Sequence, residues 1–359
     1  MIRNLQCNCK NIVLITFFIF QFKKLKIYNI VIQLIICFFL ITFFNSCQKE
    51  EVLLRPFQFT RIAIPSDVPR ASAMCVALNN DGYVICGRNP SGILNDVWKY
   101  TPDLDKWTRM NNFPEPVRVN GIAVNCNGVI YAGLGFDINF GDLAPQSYLR
   151  DFYKYVPDSD KWIKLCDFPS KFSDAAFAFS VNNLVYVSTG YDGVNPTDKT
   201  FRYSPQTNTW TQISNLFYTP RSNAVCVSNG RVFAGTGFYY NKNDWYEFDT
   251  LAEKWIARAP MPDKGRLSAK GFSIGTSMFV CGGRHWGGDD GGARKTLTSI
   301  YEYLPQYNKW TYSGELPGNG KEGAVCFKIK ENVYLGLGEN EDSYNPDFWR
   351  ISLNISSGN

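Results

Sequence analysis

The chain has 359 residues, 16% of them aromatic and only 19% charged, and it contains 29 glycines without any helix-period pattern. This mixture is typical of a globular all-β protein. Of its 37 lysines and arginines, five precede Cys47, whereas none of its 32 acidic residues does. The rest of the chain is electrically balanced, so its charge gives no indication of a nucleic-acid partner, and we expect none.

The N-terminal segment has the pattern of an export signal. Three lysines precede the apolar run Ile30–Phe44, and small or polar Asn45 and Ser46 separate that run from Cys47. This order is typical of a secretory signal. It resembles a lipobox, in which Cys47 would be lipidated and become the new N-terminus, although Phe44 occupies a position that is usually aliphatic. The alternative is an uncleaved membrane anchor, for which fifteen apolar residues are short.

The residues after Cys47, Gln48–Glu51, resemble the acidic export tag of surface-displayed lipoproteins in some Gram-negative bacteria. The resemblance implies a lipid anchor in the outer membrane, with the protein facing the cell surface. We therefore predict a removed leader over residues 1–46, a lipidated cysteine and flexible tether over residues 47–55, and a folded domain over residues 56–355.

The cysteines after Cys47 are seven in number, and most lie inside apolar strand patterns such as "AMCVA". No CxxC spacing indicates a metal or redox site, and an odd number cannot all pair. We expect small thiols that fill strand cores. The residues concerned are Cys75, Cys86, Cys126, Cys166, Cys226, Cys281 and Cys326.

A repeated unit organises the rest of the chain. Each unit has an apolar strand, a second strand that ends in glycine, a variable loop, a third strand with two aromatic residues two apart, a short turn and a strand with tryptophan. Alternation at a period of two indicates strands, and four strands per unit indicate a propeller blade. The tryptophans lie 45 to 55 residues apart, at Trp107, Trp162, Trp210, Trp255 and Trp310.

These units resemble kelch repeats in the glycines after the second strand, the aromatic residue of the third and the tryptophan of the fourth. The full glycine pair occurs once, at Gly282-Gly283. The last unit lacks its fourth strand, and a segment around Phe59 near the start of the domain matches it. We therefore predict a six-bladed kelch-type β-propeller whose N-terminal strand completes the C-terminal blade and removes the exposed sheet edges.

A cation precedes the first strand of every predicted blade. The connections from strand four to strand one and from strand two to strand three share one face of such a propeller, so these cations are expected to ring the channel mouth there. A ring of cations would attract an anionic group. The alternative is that each pairs with an acid or a carbonyl of a neighbouring blade. The six are Arg70, Arg118, Lys171, Arg221, Arg266 and Lys321.

The loops after the second strands reach the same face. The loop of blade 5 is long and holds the only histidine, His285, next to Trp286. Aromatic faces beside hydrogen-bonding charges suit sugar rings, and long loops on a rigid scaffold commonly carry function. A solvated loop is the alternative. The six loops begin with Arg88, Phe136, Tyr191, Phe238, Arg284 and Glu339, of which we predict Tyr191, Phe238 and Arg284, with Trp286, to contact a ligand.

Catalytic motifs are scarce. One histidine cannot build a His-rich metal centre, and the copper site of galactose oxidase, which shares the kelch architecture, needs two. The acids Asp289 and Asp290 lie in a glycine-rich loop but lack the ligand spacing of an EF-hand. We therefore expect neither a metal nor another cofactor.

Three functions compete, and we expect a monomer in each case. The first is a surface-anchored binding propeller for a glycan or an anionic sugar. The second is implied by resemblance to the periplasmic N-acetylneuraminate epimerases, which are six-bladed kelch proteins: Arg221 or Arg266 would hold the carboxylate, and Glu339 or His285 would move the proton. The third is a protein-interaction module, the commonest use of kelch domains.

Overall fold

Short segments in which buried and partly exposed residues alternate form strands along the chain. The computed structural model describes residues 57–140, 144–171, 173–216, 222–237, 243–285, 295–341 and 343–353. Within them, 24 strands pair into six antiparallel sheets of four strands each. The strand Met74–Leu78 illustrates the pattern, since its first, third and fifth residues are buried and the two between are partly exposed. The predicted all-β, six-bladed propeller is confirmed.

Each sheet is one blade, and in blades 1 to 5 the strands follow chain order. Blade 1 contains β2 (Met74–Leu78), β3 (Asp81–Asn89), β4 (Gly92–Thr101) and β5 (Lys106–Met110). Blade 2 contains β6 (Ile122–Cys126), β7 (Val129–Gly133), β8 (Phe152–Val156) and β9 (Lys161–Lys164). Blade 3 contains β10 (Phe177–Val181), β11 (Leu184–Ser188), β12 (Lys199–Ser204) and β13 (Thr209–Asn215).

The other three blades repeat this plan. Blade 4 contains β14 (Ala224–Ser228), β15 (Arg231–Gly235), β16 (Trp245–Asp249) and β17 (Lys254–Arg258). Blade 5 contains β18 (Lys270–Ile274), β19 (Ser277–Cys281), β20 (Ser299–Leu304) and β21 (Lys309–Glu315). Blade 6 contains β22 (Val325–Ile329), β23 (Asn332–Gly336), β24 (Phe348–Leu353) and, from the start of the domain, β1 (Phe57–Arg61).

The ring closes where the first strand meets the last. β1 pairs antiparallel with β24, from Phe57 opposite Leu353 to Arg61 opposite Trp349, and Phe59 lies opposite Ile351. The ring of Phe57 also packs edge-on against Phe279 of blade 5, with 5.3 Å between the ring centroids. The predicted closing strand around Phe59 is confirmed.

The hydrophobic core is divided among the six interfaces between adjacent blades, each filled by its own cluster of buried residues. At the interface of blades 1 and 2, Tyr83 meets Tyr155 edge-on with ring centroids 5.7 Å apart. The first strands of successive blades contact one another around the centre, so they line the channel.

The turn between the third and fourth strands links neighbouring blades. In blade 2, Asp160 has a left-handed backbone, with φ at 49°. Its carboxylate accepts hydrogen bonds from the hydroxyl of Tyr155 at 2.7 Å and from the backbone N–H of Asn111, in the segment after blade 1, at 2.8 Å. Asn208 and Asn308 accept the equivalent pairs of bonds in blades 3 and 5.

The glycine motif after the second strand also has a physical cause. A Cβ on Gly135 would lie 2.5 Å from the carbonyl oxygen of Val119, and one on Gly283 would lie 2.6 Å from that of Leu267. The second glycine therefore lets two backbones approach. The first position also has positive φ, yet Leu134 occupies it in blade 2 at 58°, which is why complete glycine pairs are rare.

The seven cysteines between Cys75 and Cys326 carry free thiols, four of them buried and three partly buried. This agrees with the expected role as core filling. Within the described ranges, no helix is long and apolar enough to cross a membrane. Cys47 and the predicted leader lie outside those ranges, so leader, tether and lipid anchor stay predictions.

Candidate functional site at the channel mouth

Six residues with left-handed backbone form a ring at the end of the channel, just before the first strand of each blade. Their φ angles lie between 54° and 59°. Five backbone hydrogen bonds of 2.9 to 3.2 Å connect them, each from the N–H of one member to the carbonyl of the member before it around the ring. We call this ring the neck. Its members are Ser72, Asn120, Ala175, Ser222, Ser268 and Gly323.

The neck residues occupy equivalent positions in the six blades, so they show which of the six predicted cations are equivalent. Four of them, Arg70, Arg118, Arg266 and Lys321, lie two residues before a neck residue. In blade 3 that position is Ser173, and Lys171 lies two residues earlier with an exposed side chain. In blade 4, Arg221 comes one residue before the neck and lies outside the described residues. The prediction that all six cations are equivalent is therefore wrong.

The arginines at this position are buried, and each binds an acidic residue of its own blade or of the loop before it. We call these arginines clips. Arg118 has no exposed surface, and its Nη1 and Nη2 donate to the two carboxylate oxygens of Asp151 at 2.6 and 2.7 Å. Arg70 binds Asp96 in the same bidentate way, with 2.9 Å between Nη2 and Oδ2. Asp96 lies within the third strand of blade 1, and Asp151 directly precedes the third strand of blade 2. Each arginine thus ties the loop before a blade to that blade and cannot reach a ligand at the mouth.

In blade 5 the clip has different partners. Arg266, also fully buried, donates through Nε to Asp263 at 2.9 Å and through Nη2 to the hydroxyl of Ser299 at 2.7 Å. His285 Nε2 lies 3.2 Å from the other oxygen of Asp263. Burial opposes ionisation of Asp263, but His285 and Arg266 together hold the pKa of its carboxyl well below the usual range. The predicted catalytic candidate His285 therefore contacts this structural cluster.

Lys321 is the fourth of these cations, and it is too short to repeat the clip. Its ammonium is buried and has no hydrogen-bond partner among the described residues. Burial lowers its pKa, although Asp347 opposes the effect. Asp347 instead accepts a hydrogen bond from Arg61 at 2.8 Å. The predicted solvent-facing ring of cations is therefore wrong for Arg70, Arg118, Arg266 and Lys321, because all four are buried.

Beyond the neck, five described β-bridges join the segment before a first strand to the start of the loop after a second strand. Both kinds of connection thus lie on one face, as predicted. The bridged pairs are Ala71 with Arg88, Val119 with Phe136, Asp174 with Tyr191, Leu267 with Arg284, and Glu322 with Glu339.

The charges of this tier form ion pairs across blades. Arg88 of blade 1 binds Glu339 of blade 6. Nε of Arg284, in blade 5, lies 2.6 Å from the Glu322 carboxylate of blade 6. Asp174 accepts a hydrogen bond from the side-chain amide of Asn120 at 2.9 Å. The described mouth is therefore mixed in charge, with two guanidinium groups facing three carboxylates, and not basic.

One wall of the mouth is aromatic. Phe136 packs on Tyr148 with 5.1 Å between ring centroids, and Tyr148 meets Tyr191 edge-on at 6.3 Å. Tyr191 stays partly exposed and donates its hydroxyl hydrogen bond to the carbonyl of Gly193 at 2.9 Å. The predicted contact residue Tyr191 thus lies at the mouth, as does Arg284.

Two adjoining cavities open on this face, and we call them together the funnel. One, of about 200 Å³, has the neck as its floor and Arg88, Asp174, Arg284, Glu322 and Glu339 on its sides. The other, of about 240 Å³, extends from Arg88 and Asp174 to Phe136 and Ile138. The funnel therefore combines carboxylates, guanidinium groups and an apolar edge.

Among the funnel acids, Glu322 has a shifted pKa. Burial raises the pKa of its carboxyl, Arg284 works against this effect, and Glu339 adds to it. Neither Glu322 nor Asp174 was expected from the sequence. Both lie one residue before the neck. Glu322 directly follows the predicted cation Lys321, and Asp174 follows an insertion that shifts the alignment of blade 3. Phe238 and Trp286, the other predicted contact residues, lie outside the described residues.

The comparisons with known proteins agree with this fold. The kelch motif model matches residues 69–114 and 176–216, which cover blades 1 and 3. This chain is a kelch-repeat β-propeller. Human Kelch-like protein 23 is 26% identical to the propeller over 277 residues, or 72% of this chain and 44% of the relative. The chain thus spans less than half the length of such relatives.

Two further comparisons, one with a curated enzyme and one with a solved structure, are also informative. The N-acetylneuraminate epimerase of Shigella sonnei (strain Ss046) is 28% identical over 130 residues, which make up 36% of this chain and 34% of that enzyme. The solved structure of YjhT superposes with a TM-score of 0.68 at 18% identity, covering 80% of this chain and 96% of that one. The structural likeness shows the fold alone.

Proposed function

We propose that this kelch-repeat propeller binds a carbohydrate in the funnel. The observation that carries the proposal is the convergence of three carboxylates and two guanidinium groups on cavities of about 200 and 240 Å³ beside an aromatic edge. Carboxylates accept and guanidinium groups donate hydrogen bonds, so together they match the hydroxyl groups of a sugar. The mixed charge favours a polyhydroxylated ligand at this level over a strongly anionic one.

A glycan array followed by calorimetric titration of the strongest hit tests the proposal. Arg88→Met removes one funnel guanidinium and leaves Glu339 unpaired, so we expect about a tenfold or greater loss of affinity. Arg231→Met is the matched control, because it breaks a similarly exposed arginine–glutamate pair, with Glu247, far along the strand from the mouth. Unchanged affinity in both Arg88→Met and Asp174→Asn would refute binding in the funnel.

Sugar isomerisation at the same site is a second candidate. Glu322 supports it, because a carboxyl with a raised pKa beside a second carboxylate, Glu339, can serve as a general acid. The similarity to an N-acetylneuraminate epimerase adds support. NMR exchange spectroscopy on a bound sugar would measure anomer interconversion, which Glu322→Gln should abolish while leaving binding. No acceleration by the unaltered protein would exclude catalysis.

A protein-interaction module is the remaining alternative, since the chain carries kelch motifs and is similar to Kelch-like protein 23. Affinity capture from intact cells, with the funnel variants as baits, separates it from sugar binding. A captured protein that is lost with Arg88→Met, together with an empty glycan array, would replace the carbohydrate proposal.

We also propose that the propeller is displayed on the cell surface through a lipid on Cys47. The proposal rests on the lysines, the apolar run Ile30–Phe44 and the acidic residues after the cysteine. Mass spectrometry of the mature protein should find a diacylated Cys47 as its first residue, and Cys47→Ala should release the protein from the membrane. An intact leader would contradict the proposal.

A further inference from the structure

One position in the channel departs from the pattern of the six blades. The first residue of the innermost strand is apolar in five of them, and in blade 5 it is Lys270. The strand register supports the equivalence, since in blades 2 to 6 this residue pairs with the last residue of the second strand, and in blade 1, where the second strand is longer, Met74 pairs with Ile85. The five apolar residues are Met74, Ile122, Phe177, Ala224 and Val325.

Lys270 borders a second cavity on the strand side of the neck, which we call the throat. Its volume is about 90 Å³, and it is lined by the six neck residues, by Lys270, and by the residues that follow five neck positions, namely Ala73, Gly121, Ala176, Asn223 and Ala269. The neck lines the funnel as well, so the two spaces meet there. A space of this size holds a group of a few heavy atoms but not a sugar ring.

Among the described residues that line the throat, Lys270 is the only charged one. Within the described part of the chain, its ammonium takes part in no salt bridge or hydrogen bond. The thiols of Cys75, on the first strand of blade 1, and Cys326, on that of blade 6, are within electrostatic reach, but burial raises their pKa, so they are uncharged at neutral pH. A partly buried ammonium without a counter-charge is costly.

The remaining polar groups of the throat suit an anion. Ser72, Ser222 and Ser268 contribute hydroxyl groups from three neck positions. Asn120 and Asn223 add two side-chain amides, and none of the described lining residues carries a carboxylate. Hydroxyl donors around one ammonium complement a compact group that carries negative charge on several oxygens.

We propose that the throat binds a small oxyanion, with Lys270 as its counter-charge and the neck serines as donors. Two sources share this chemistry. One is the carboxylate of a sugar acid whose ring occupies the funnel, in which case the inference rests on the proposed function. The other is a free inorganic oxyanion such as sulfate or phosphate.

Calorimetric titration at constant ionic strength distinguishes the sources. The probes are sulfate, phosphate, and D-glucuronate, D-galacturonate and N-acetylneuraminate, each sugar acid with its methyl ester. A sugar-acid site predicts that an acid binds at least about tenfold more tightly than its ester, since a charge-assisted contact is lost. A free-anion site predicts that sulfate or phosphate binds without any sugar.

In either case, Lys270→Met should lower the affinity for the anion about tenfold or more. This variant copies Met74 and should fold, which a thermal melt would check, and Lys270→Gln provides a second neutral residue. Lys328→Met is the matched control, because that lysine of β22 lies 3.6 Å from Glu331 and not in the throat. Its anion affinity should be unchanged.

The inference is wrong if none of the anions binds, or if Lys270→Met and Lys270→Gln bind them as tightly as the unaltered protein. Binding of neutral sugars without binding of any of the anions would refute this inference and leave the carbohydrate proposal intact. Sulfate or phosphate binding that requires Lys270, together with an empty glycan array, would support this inference and refute the carbohydrate proposal.

Discussion

The buried arginine clips show that burial decides whether a charged side chain can contact a ligand or only stabilises the fold. Arg70 and Arg118 stand in a sequence pattern that predicts a charged mouth, yet both are fully buried. A buried guanidinium is costly unless a counter-charge compensates it, and the carboxylates of Asp96 and Asp151 do so by binding both terminal nitrogens of the arginine. These residues therefore stabilise the loops that form the mouth without touching what binds there.

Asp263 gives this class of contact a pH dependence. Its folded-state pKa lies below its ordinary value of 3.8, so its stabilising contribution is complete above that value and is lost as the pH falls through the folded pKa. Asp263→Asn should cost about 3–5 kcal/mol of unfolding free energy at pH 5, because Arg266 loses its buried partner. The difference from the unaltered protein should shrink as the pH falls below 4 or so.

Urea unfolding between pH 2.5 and 5 would measure this. Asp167→Asn serves as the control, because Asp167 is 47% exposed and pairs only with Lys164 on the surface, where such pairs contribute about 0.5 kcal/mol or less. Parallel curves for the Asp263→Asn variant and the unaltered protein would contradict the assignment.

At the scale of the element, the repeated third-to-fourth-strand turn is a clamp between blades. Its left-handed Asp or Asn binds the tyrosine of its own blade and the backbone of the blade before. Tyr155 donates to the charged Asp160 at 2.7 Å, whereas Tyr303 donates to the neutral Asn308 at 2.8 Å. Both tyrosines are buried, so the two turns differ mainly in the charge of the acceptor.

We therefore expect the two tyrosine hydroxyl groups to contribute unequally to the stability of the protein. Tyr155→Phe should destabilise the protein by about 1.5–3 kcal/mol, and Tyr303→Phe by about 0.5–1.5 kcal/mol, because hydrogen bonds to charged groups contribute more. Chemical denaturation of the two variants side by side gives the comparison. Equal losses, or a larger loss for Tyr303→Phe, would show that acceptor charge does not govern this turn.

The blades could be predicted from the sequence because their strands repeat chemistry at fixed spacing. The tryptophans and the third-strand aromatics locate every interface between blades, and Phe59 locates the closing strand. The mouth was harder to predict, since blade 3 carries two more residues than blade 1 between the cation and the first strand. That insertion moves Lys171 out of register, and only the bridge of Asp174 to Tyr191 shows which residue faces the funnel.

Burial was the second obstacle at the site. In blade 6, both the position two residues before the neck and the position one residue before it are charged, yet they have opposite surroundings. Lys321 is buried, whereas its neighbour Glu322 borders the funnel. A one-residue difference on an irregular segment has no periodicity in the sequence to reveal it, so Asp174 and Glu322 were found only in the structure, whereas Glu339 was predicted.

At the scale of the whole molecule, the closed ring is what holds the funnel residues of blades 1 and 6 together. The ion pair of Arg88 and Glu339 spans these two blades, and the same two blades meet where the chain begins and ends. Closure depends on β1, which covers the edge of β24 and brings Phe57 and Phe59 into the cluster between blades 5 and 6.

A chain that starts at Ile62 should therefore lose at least about 3 kcal/mol of stability, because two large aromatic side chains leave a packed interface and a sheet edge becomes exposed. A chain that starts at Pro56 is the control and should match the full domain. A third variant, which moves residues 57–61 behind residue 353 through a hairpin loop, should regain stability to within about 1 kcal/mol, since β1 and β24 are antiparallel neighbours. Urea unfolding of the three variants would measure the effect. Full stability of the shortened chain would mean that five complete blades and a three-stranded sixth with an open edge suffice, and that closure does not hold the mouth together.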